Sequence, residues 1–464
     1  MRRMSPTFTR REVIQTLAAA AAAPSSLSAA EPRRVVGIVG AGMAGVSLAW
    51  LLDGQRDVVL IEGGDAIGGN VQSVTVNVGG RDVVVDAGAQ YFHPGPYPLY
   101  TALLTQLGIY PPASAIPPQS HAFTASITVA DAAETVPRFM SPMFPGRIWP
   151  VLAPWNFAGL VAFAVGFSAA RLREQAEGSW TTTLEEWLPT LGLTREQWEG
   201  MLLPWAASLF SGSIEQARTL SARSAMVFAA KALSQNPFEA IAYYVLNQGM
   251  AEALRRMVAQ CSTVQLLTGT SVLRAANDPQ GGFRIHRSSG PPIRVDDLVL
   301  ACSRDSTLNL LQGLQGMEPR QTTLGGIEFH DARLALHTDP VYVQPEPRFW
   351  SFLNCRRQGE HCEASMWMSP VLTDAPLLTR VRLWKSWVTH RDQQPSEVLH
   401  EVQFRHMLPT AATIRAQDAL RPLQGQYGVW LAGGYLHPYD AQETAFASAI
   451  DVARGLGVTK APWL

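Results

Sequence analysis

One stretch of this chain limits its possible folds more than any other: residues 37–70, GIVGAGMAGVSLAWLLDGQRDVVLIEGGDAIGGN. The residues around its start, Val35–Val39, form an apolar run rich in β-branched side chains, as is typical of a strand buried on both faces of a parallel sheet. The residues Met43–Leu52 have helical composition and apolar spacing. Between strand and helix lies a G-x-G-x-x-G pattern made by Gly40, Gly42 and Gly45. The stretch predicts a strand, a tight turn and a helix in immediate succession.

Each of the three glycines has a role if the turn binds a dinucleotide. The first permits the turn, the second lets the backbone approach a pyrophosphate, and the third lets the helix pack closely on the strand. The helix N-terminus then offers free N–H groups to the phosphates. A second apolar strand over residues 58–61 ends at Glu62, about 20 residues beyond the glycines, where an acid can accept both hydroxyls of an adenosine ribose. A glycine-rich turn without a nucleotide is the alternative, and the complete pattern favours the dinucleotide.

The residues that follow Glu62 favour FAD over NAD. They are a glycine-rich segment over residues 63–70, a hairpin pattern over residues 71–78 and 81–85, and the segment DAGAQYF over residues 86–92. Residues 335–354, ALHTDPVYVQPEPRFWSFLN, resemble a less characterised group of predicted NAD/FAD-binding oxidoreductases. Over residues 62–92 the chain resembles the wider family of flavin-containing amine oxidases, phytoene desaturases and protoporphyrinogen oxidases. In that family a Gly-Gly-Arg element wraps the pyrophosphate, and a D-x-G-x-x-x-F element lies beside the flavin. This chain has Asn70 where the arginine is usual.

Distant segments extend the resemblance to the centre and the C-terminus. The central ones are residues 248–254, similar to a G-G-M-x-x-L helix start; residues 264–268 and 271–272, similar to strands on the adenine side; and residues 295–302, similar to the strand that returns to the nucleotide domain. The family's closing signature, A-G-D/E and then E-G-A-x-x-S-G, corresponds to residues 432–434 and 443–449. Gly434 replaces the usual acid that contacts the ribityl chain, and Thr444 replaces a glycine whose N–H faces the isoalloxazine.

The resemblance implies a mixed α/β chain. A Rossmann-like FAD-binding domain of the glutathione-reductase type is expected over residues 33–100, 240–310 and 420–464, with an inserted helical and β-sheet (α+β) substrate domain over residues 101–239 and 311–419. FAD is expected to bind without a covalent bond, because no cysteine lies in the closing motif. The residues expected to hold FAD are Gly40, Gly42, Ala44, Gly45, Glu62, Gly68, Gly69, Asn70, Gly88, Ala89, Gln90, Val272, Gly433, Gly434, Thr444 and Ala445.

The N-terminus resembles a twin-arginine export signal. TRREVI over residues 9–14 precedes an alanine-rich apolar stretch that ends in small residues at 28–30. We expect recognition by the twin-arginine machinery, cleavage after Ala30 and a periplasmic or otherwise exported bacterial protein; the alternative is a disordered alanine-rich helix. With 464 residues, 47% of them hydrophobic, and a net charge of −1, the chain is long enough for two domains. It carries no basic excess, so nucleic acid is not an expected partner.

The two insertions have different patterns. Residues from about 100 to 240 have mainly helical spacing, with Thr183 and Thr194 as N-caps, and residues from about 310 to 420 alternate as strands do. Residues 148–170 carry no charge and are long enough to span a bilayer, but Pro150 and Pro154 interrupt them. We expect a buried helix that lines an apolar tunnel, with a peripheral, monotopic membrane contact as the alternative.

The four cysteines leave the redox state open. Cys261 and Cys302 lie in apolar, strand-like contexts and are predicted to be buried thiols. Cys355 and Cys362 flank RRQGEH between strand-like runs over residues 349–353 and 364–368, so they can face each other across a hairpin, either as a disulfide or as free thiols. No metal site is expected, since a fourth ligand beside the two cysteines and His361 is not evident.

A flavin itself carries out the difficult chemistry, so few catalytic side chains are needed. The candidates follow from position: Gln90, Tyr91, Phe92 and His93 leave the second flavin element, Tyr435 and His437 leave the closing strand, and Trp350 and Trp367 are candidates for aromatic walls. His337 lies on the strand where many amine oxidases of the family carry a lysine, and residues 333–342 contain none. For each histidine the alternative is a structural, hydrogen-bonded residue, and for each tryptophan it is core packing.

These observations predict an amine-oxidase-like enzyme that takes a hydride from an apolar or amine small molecule, with oxygen or a redox carrier as electron acceptor. A desaturase or saturase of a lipid or isoprenoid is the second reading, favoured by the uncharged residues 148–170 and by the missing lysine. An electron-transfer flavoprotein without a substrate of its own is the third.

Overall fold

The glycine-rich turn predicted from the sequence joins the first strand of a parallel sheet to the first helix of the structure. The structure, a computed structural model, describes residues 33–141, 151–232, 241–372, 382–458 and 463. The predicted export signal therefore lies outside the described residues, and Val35–Leu464 form one compact unit.

The strands and helices are as follows. The strands are β1 Val35–Val39, β2 Asp57–Ile61, β3 Ser73–Val78, β4 Arg81–Asp86, β5 Ser120–Thr124, β6 Ile127–Asp131, β7 Phe139–Met140, β8 Ala242–Leu246, β9 Val264–Leu267, β10 Val272–Asn277, β11 Phe283–Arg287, β12 Ile293–Val295, β13 Asp297–Leu300, β14 Phe329–His337, β15 Leu353–Gln358, β16 His361–Trp367, β17 Trp384–Trp387, β18 Val398–Met407 and β19 Val429–Leu431. The helices are α1 Met43–Leu52, α2 Pro98–Gln106, α3 Phe157–Gln175, α4 Leu184–Trp187, α5 Arg195–Gln197, α6 Leu203–Leu209, α7 Ile214–Thr219, α8 Ala222–Ala232, α9 Ala251–Gln260, α10 Arg304–Leu311, α11 Glu318–Gly325, α12 Ala411–Leu420 and α13 Gln442–Gly455.

The parallel sheet has the strand order β19-β13-β1-β2-β9. Its apolar strands are buried because both faces are covered. One face packs against α1, α2, α9 and α13, and the other packs against β11, β12 and helices α10 to α12. The predicted strand, turn and helix are confirmed, with β1 and α1 at the predicted bounds.

A second, seven-stranded sheet has the order β18-β14-β17-β16-β15-β6-β7. Neighbouring strands are antiparallel except β15 and β6, which run parallel. Apolar residues of one face pack with α3, α6, α7 and α8 in a single core. Thr183 and Thr194 cap short helices as predicted, each accepting a hydrogen bond from the backbone three residues on.

Two predictions of secondary structure are wrong in part. Strands β5 to β7 lie inside the region predicted to be mainly helical, because they pair with the distant β8 and β15, which local spacing does not reveal. The strand predicted over residues 349–353 begins only at Leu353, because the Asn354 side chain holds the preceding loop through the backbone of Ser351.

Helix α3 differs from its prediction in its burial. It begins at Phe157, after a short 3₁₀ turn in which the buried Asn156 amide bonds backbone groups of Met140 and Val151. Small residues such as Gly159 and Gly166 bury its inner face. By length and composition, Pro154–Gln175 could cross a membrane, and 39% of its most apolar window is buried. The predicted buried helix is therefore buried on one face only.

The cysteine predictions have mixed outcomes. Cys355 and Cys362 lie on the paired strands β15 and β16 as buried free thiols. Cys261 and Cys302 are half-buried rather than buried, because both lie just beyond the end of their element: Cys261 follows α9, and Cys302 follows β13 at the carboxyl edge of the parallel sheet.

Candidate active site

The glycine turn lies at the carboxyl edge of the parallel sheet. The Gly40 N–H donates to the Ile61 carbonyl at 2.8 Å, and Gly40 has a φ of +104°, which only glycine adopts easily. A Cβ at Gly45 would fall on the carbonyl oxygen of Gly40, so the helix approaches the strand more closely than any side chain allows. A Cβ at Gly42, by contrast, would lie 3.8 Å from the nearest atoms, which are backbone atoms of Gly68 and Gly69. The second glycine thus borders open space at the start of α1.

The carboxylate of Glu62 faces this turn. One oxygen accepts from the Ala41 N–H at 2.7 Å, and the other accepts from the Gly64 N–H at 2.8 Å. Among the described residues no side chain caps the first turn of α1, so its N–H groups remain available to a ligand. Free amides, a bare glycine and a carboxylate at the tip of the next strand fit a pyrophosphate and its ribose.

Two further predicted segments lie against the turn. The Gly68 N–H donates to the Ala41 carbonyl at 2.9 Å, and Gly42 forms a bridge with Gly68. A Cβ at Gly88 would fall on the Asn70 carbonyl oxygen, and Ala89 donates to that same oxygen. Residues 68–70 and 88–89 are therefore stacked beside the glycine turn through main-chain contacts, so replacing the usual arginine by Asn70 leaves the arrangement intact.

The closing segment completes the edge of the sheet. The Gly433 N–H donates to the Ser448 hydroxyl at 2.9 Å, and the Thr444 hydroxyl accepts from the Ala441 N–H at 3.0 Å at the start of α13. Ala445 lies in the first turn of α13, which packs against α1. Val272 is the first residue of β10. The hydroxyl of the residue before it, Ser271, would lie 3.3 Å from a Cβ atom placed at Gly63.

Lys385 is the residue that the sequence reasoning missed. Its ammonium donates to the carbonyl oxygens of Asp86 at 2.8 Å and Gly88 at 2.6 Å, so it reaches the segment 86–92 from β17 of the other sheet. The side chain is fully buried, and burial lowers the pKa of Lys385 to about 7, while the Asp86 carboxylate opposes this shift. The sequence contains a signal for this residue, because the chain has only three lysines and Lys385 stands in the apolar, strand-like segment WKSW.

The Asp86 side chain fixes the same segment from the other direction. Its Oδ1 accepts from the Ser73 hydroxyl at 2.5 Å and from the Met250 N–H at 2.9 Å. Burial raises the pKa of Asp86 to about 6, and these hydrogen bonds and the charge of Lys385 counteract the rise. Asp86 thereby ties the β3–β4 hairpin to the start of α9, and its carbonyl oxygen remains for Lys385.

The predicted catalytic residues fall on two faces of the seven-stranded sheet. Side chains alternate along a strand, and opposite partners share a face. Leu336 and Met366 pair with Lys385 and lie on its face, where the Gln90 amide contacts the Met366 sulfur. His337 and Trp367 pair with Trp384, so they lie on the far face.

The far-face residues form a packed group of their own. Trp350, Trp367 and Trp384 contact each other with ring centroids 5.2 to 5.9 Å apart. The His337 Nε2 bonds the Ser386 hydroxyl at 2.8 Å, and burial lowers the pKa of His337 to about 4. The structure therefore brings Trp350 and Trp367 together and places His337 on the same face of the sheet as Trp367, whereas Lys385 lies on the opposite face.

Tyr91 begins an aromatic wall on the Lys385 side. Its ring makes edge contacts with three others, at centroid distances of 5.2 to 6.1 Å: Phe123, Tyr243 and Phe352. His93 packs at a tilt against Tyr243, with ring centroids 5.4 Å apart.

Two expectations about aromatic residues are corrected. Phe92 is fully buried against Tyr244 in the core beside α1, because alternation along the extended segment turns it away from Tyr91. Tyr435 folds back under Gly433 and packs against Phe329, so it lies in the core rather than in a substrate space. His437 lies 3.8 Å from Asp451 on α13.

Known proteins with a similar sequence or a similar fold were found by one family profile and by several solved structures. The family profile of the NAD(P)-binding Rossmann-like domain matches residues 38–107, and a search of curated protein sequences found no match. A putrescine oxidase bound to putrescine is 14% identical, covers 92% of this chain and 99% of its own, and has a TM-score of 0.63. The cyclohexylamine oxidase from Brevibacterium oxydans IH-35A is 15% identical over 92% of this chain and 100% of its own, with a TM-score of 0.56. The CLA-producing fatty acid isomerase from P. acnes is 13% identical over 91% and 98%, with a TM-score of 0.63.

These structures share their fold with nearly the whole chain. The mixed α/β architecture with a Rossmann-like domain, predicted from the sequence, is confirmed, and the chain shares its fold with the putrescine and cyclohexylamine oxidases.

Proposed function

We propose that this chain is a FAD-dependent oxidoreductase that removes a hydride from an apolar amine. The observation that carries the proposal is the glycine turn with the Glu62 carboxylate facing it, and a buried lysine bonded to Gly88 in the next segment. Bound FAD supplies hydride acceptance from a C–H bond and passes the electrons on to oxygen or to a redox carrier. The turn, Glu62 and residues 68–70 would hold the dinucleotide, and residues 88–90 would lie on the side of its reactive ring.

Lys385 provides a proton site in this region. Two of its three N–H donors are occupied by the carbonyls of Asp86 and Gly88. With its pKa lowered to about 7, the amine exchanges a proton readily near neutral pH, which suits an amine substrate that must lose a proton before oxidation. The neighbouring carbonyls orient the nitrogen, so the proton is held at a fixed place.

The substrate side is apolar. Tyr91, Phe123, Tyr243 and Phe352 form the aromatic wall, and Met366 and Leu336 flank Lys385 on its face of the sheet. Such a wall excludes water and packs against an alkyl or cycloalkyl group. The putrescine and cyclohexylamine oxidases among the solved structures support the amine; the fatty acid isomerase supports a lipid as the second candidate.

Anaerobic titration tests the proposal. The purified protein should be yellow and contain about one FAD per chain, released unchanged by denaturation. Primary alkylamines and cycloalkylamines should bleach the flavin absorbance, while unsaturated fatty acids and isoprenoids should not. Bleaching by the lipids alone would replace the amine by the second candidate. A protein without flavin that also fails to bind added FAD would overturn the proposed function.

We further propose that the outer face of α3 contacts a lipid surface, through which an apolar substrate arrives. Residues 151–170 carry no charge, and Leu152 and Phe157 are 66% and 70% exposed. They border an open cavity of about 370 Å³ with Ala153, Pro154 and Leu160. Leu152 precedes the helix and Phe157 begins it, and exposed apolar side chains clustered at the start of an apolar helix are typical of monotopic membrane binding.

Vesicle sedimentation tests this contact. The wild type should sediment with vesicles of phosphatidylcholine and phosphatidylglycerol, and the double variant Leu152→Glu/Phe157→Glu should remain in the supernatant. Leu273→Glu is the matched control, since Leu273 is 68% exposed on β10, away from α3. Equal sedimentation of all three proteins, or a wild-type dimer that the double variant abolishes, would contradict a lipid contact.

We also propose export by the twin-arginine pathway, on the basis of TRREVI and the small residues that end at Ala30. Fractionation of a bacterial host should place the protein in the periplasm, and replacing Arg10 and Arg11 by lysine should retain it in the cytoplasm.

A further inference from the structure

Asp440 occupies the space that a side chain at Gly434 would fill. Gly434 follows β19 at the carboxyl edge of the parallel sheet, the same edge as the glycine turn after β1. A Cβ built on Gly434 would fall on the Asp440 Oδ1, with the Thr444 hydroxyl at 3.2 Å and the Ala441 carbonyl oxygen at 3.3 Å. Gly434 has no positive φ, so the backbone itself permits a side chain there. The glycine is therefore required by the carboxylate of Asp440 and not by its own conformation.

The Asp440 carboxylate has no hydrogen-bond or ion-pair partner within the described ranges. Burial raises the pKa of Asp440 to about 6, so desolvation is not offset by any donor from the protein. The side chain is half-buried, and without a protein donor its acceptor oxygens are open to the donors of a ligand. The residue also stands just before α13, whose first-turn N–H groups face the same edge.

We infer that Asp440 binds the hydroxyl groups of the polyol chain of the bound flavin, delivering from the α13 side the carboxylate that the chain lacks at position 434. This inference rests on the proposed function, because the polyol belongs to FAD. A carboxylate is an acceptor only, so its complement is a group with O–H donors and not a phosphate. Vicinal hydroxyls of an alditol chain match it, and the adenylate end of the dinucleotide is already matched by Glu62.

Two ligands separate the roles of Asp440 and Glu62. FAD contains the polyol, and ADP lacks it but retains the adenosine ribose and the diphosphate. In Asp440→Asn, an isosteric change, the dissociation constant for FAD should rise about 10- to 100-fold, since a hydrogen bond to a charged group is lost. The dissociation constant for ADP should stay within about twofold of the wild type. Binding is measured with the apoprotein by flavin fluorescence quenching and by calorimetry.

A relocated acid provides the second test. The double variant Gly434→Asp/Asp440→Ala moves the carboxylate to position 434 and removes the side chain that blocks it, so FAD affinity should recover relative to Asp440→Ala alone. Gly434→Ala should weaken FAD binding, because its Cβ displaces the Asp440 carboxylate.

Three results would overturn the inference. They are equal FAD affinity of Asp440→Asn and wild type, an equal loss of ADP and FAD affinity, and no recovery in a folded double variant. A wild-type protein that binds ADP but not FAD would instead overturn the proposed function.

Discussion

Replacing the second glycine of the turn by alanine should weaken cofactor binding without unfolding the protein. Gly42 has φ −75° and ψ −172°, a conformation open to any residue, and a Cβ there meets nothing closer than 3.8 Å. Stability of the apoprotein should therefore change by about 1 kcal/mol or less. The same methyl group, however, stands where a diphosphate must approach the backbone amides. Losing one such bond to a charged group costs about 2 kcal/mol, so FAD should bind about 30-fold more weakly, and Gly42→Trp should abolish binding.

The third glycine provides the contrast. In Gly45→Ala the new methyl group falls on the Gly40 carbonyl oxygen, a backbone atom that cannot move without separating strand from helix. We expect a loss of about 3 kcal/mol in the free energy of unfolding of the apoprotein, measured by urea denaturation. Gly325→Ala is the neutral control, because a Cβ there has nothing within 4 Å. If Gly42→Ala kept full FAD affinity, or destabilised the apoprotein as much as Gly45→Ala, the assignment of the open space at Gly42 to a phosphate would be refuted.

Three further predictions concern single side chains. Lys385→Met should retain FAD but lower the rate of anaerobic flavin reduction by an amine about 100-fold, and Lys231→Met, which removes a lysine on α8, should leave that rate unchanged; equal rates in both would show that Lys385 does not handle the proton. Glu62→Gln should weaken both ADP and FAD about 10-fold by calorimetry, whereas a loss for FAD alone would argue against ribose binding at Glu62. The folded pKa of His337 lies near 4, below the unfolded value of about 6.5, so its contribution to stability is lost as pH falls through this window; between pH 6.5 and 4 the wild type should lose about 3 kcal/mol more than His337→Gln in urea denaturation, and parallel curves would contradict the burial argument.

The nucleotide-binding region was predictable because its requirements are local. Gly40, Gly42, Gly45 and Glu62 lie within one strand-turn-helix-strand unit, where spacing alone fixes which groups meet. Their positions relative to each other in the structure follow from that spacing.

The substrate side was not predictable, because it depends on pairings between distant strands. Residues 333–342 contain no lysine, which favours a desaturase over an amine oxidase, but a buried lysine comes from β17, which pairs with β14 through Leu336 and Lys385. Which face a strand residue occupies depends on the register with its partners. Phe92 and Tyr435 were misplaced for a similar reason: both follow a correctly identified motif, but local alternation turns their rings into the core.

The bonds of Lys385 have a mechanical consequence. They fasten the segment at Asp86 and Gly88, which packs against Asn70 beside the glycine turn, to a strand of the seven-stranded sheet. Pulling the two sheets apart would break both bonds, at a cost of about 2 to 6 kcal/mol. A state with the sheets separated would then make up about 3 per cent of molecules or less. A small molecule would therefore reach the space beside Gly88 by rearrangement of side chains and surface loops, and opening the two sheets like a hinge would be an inefficient route.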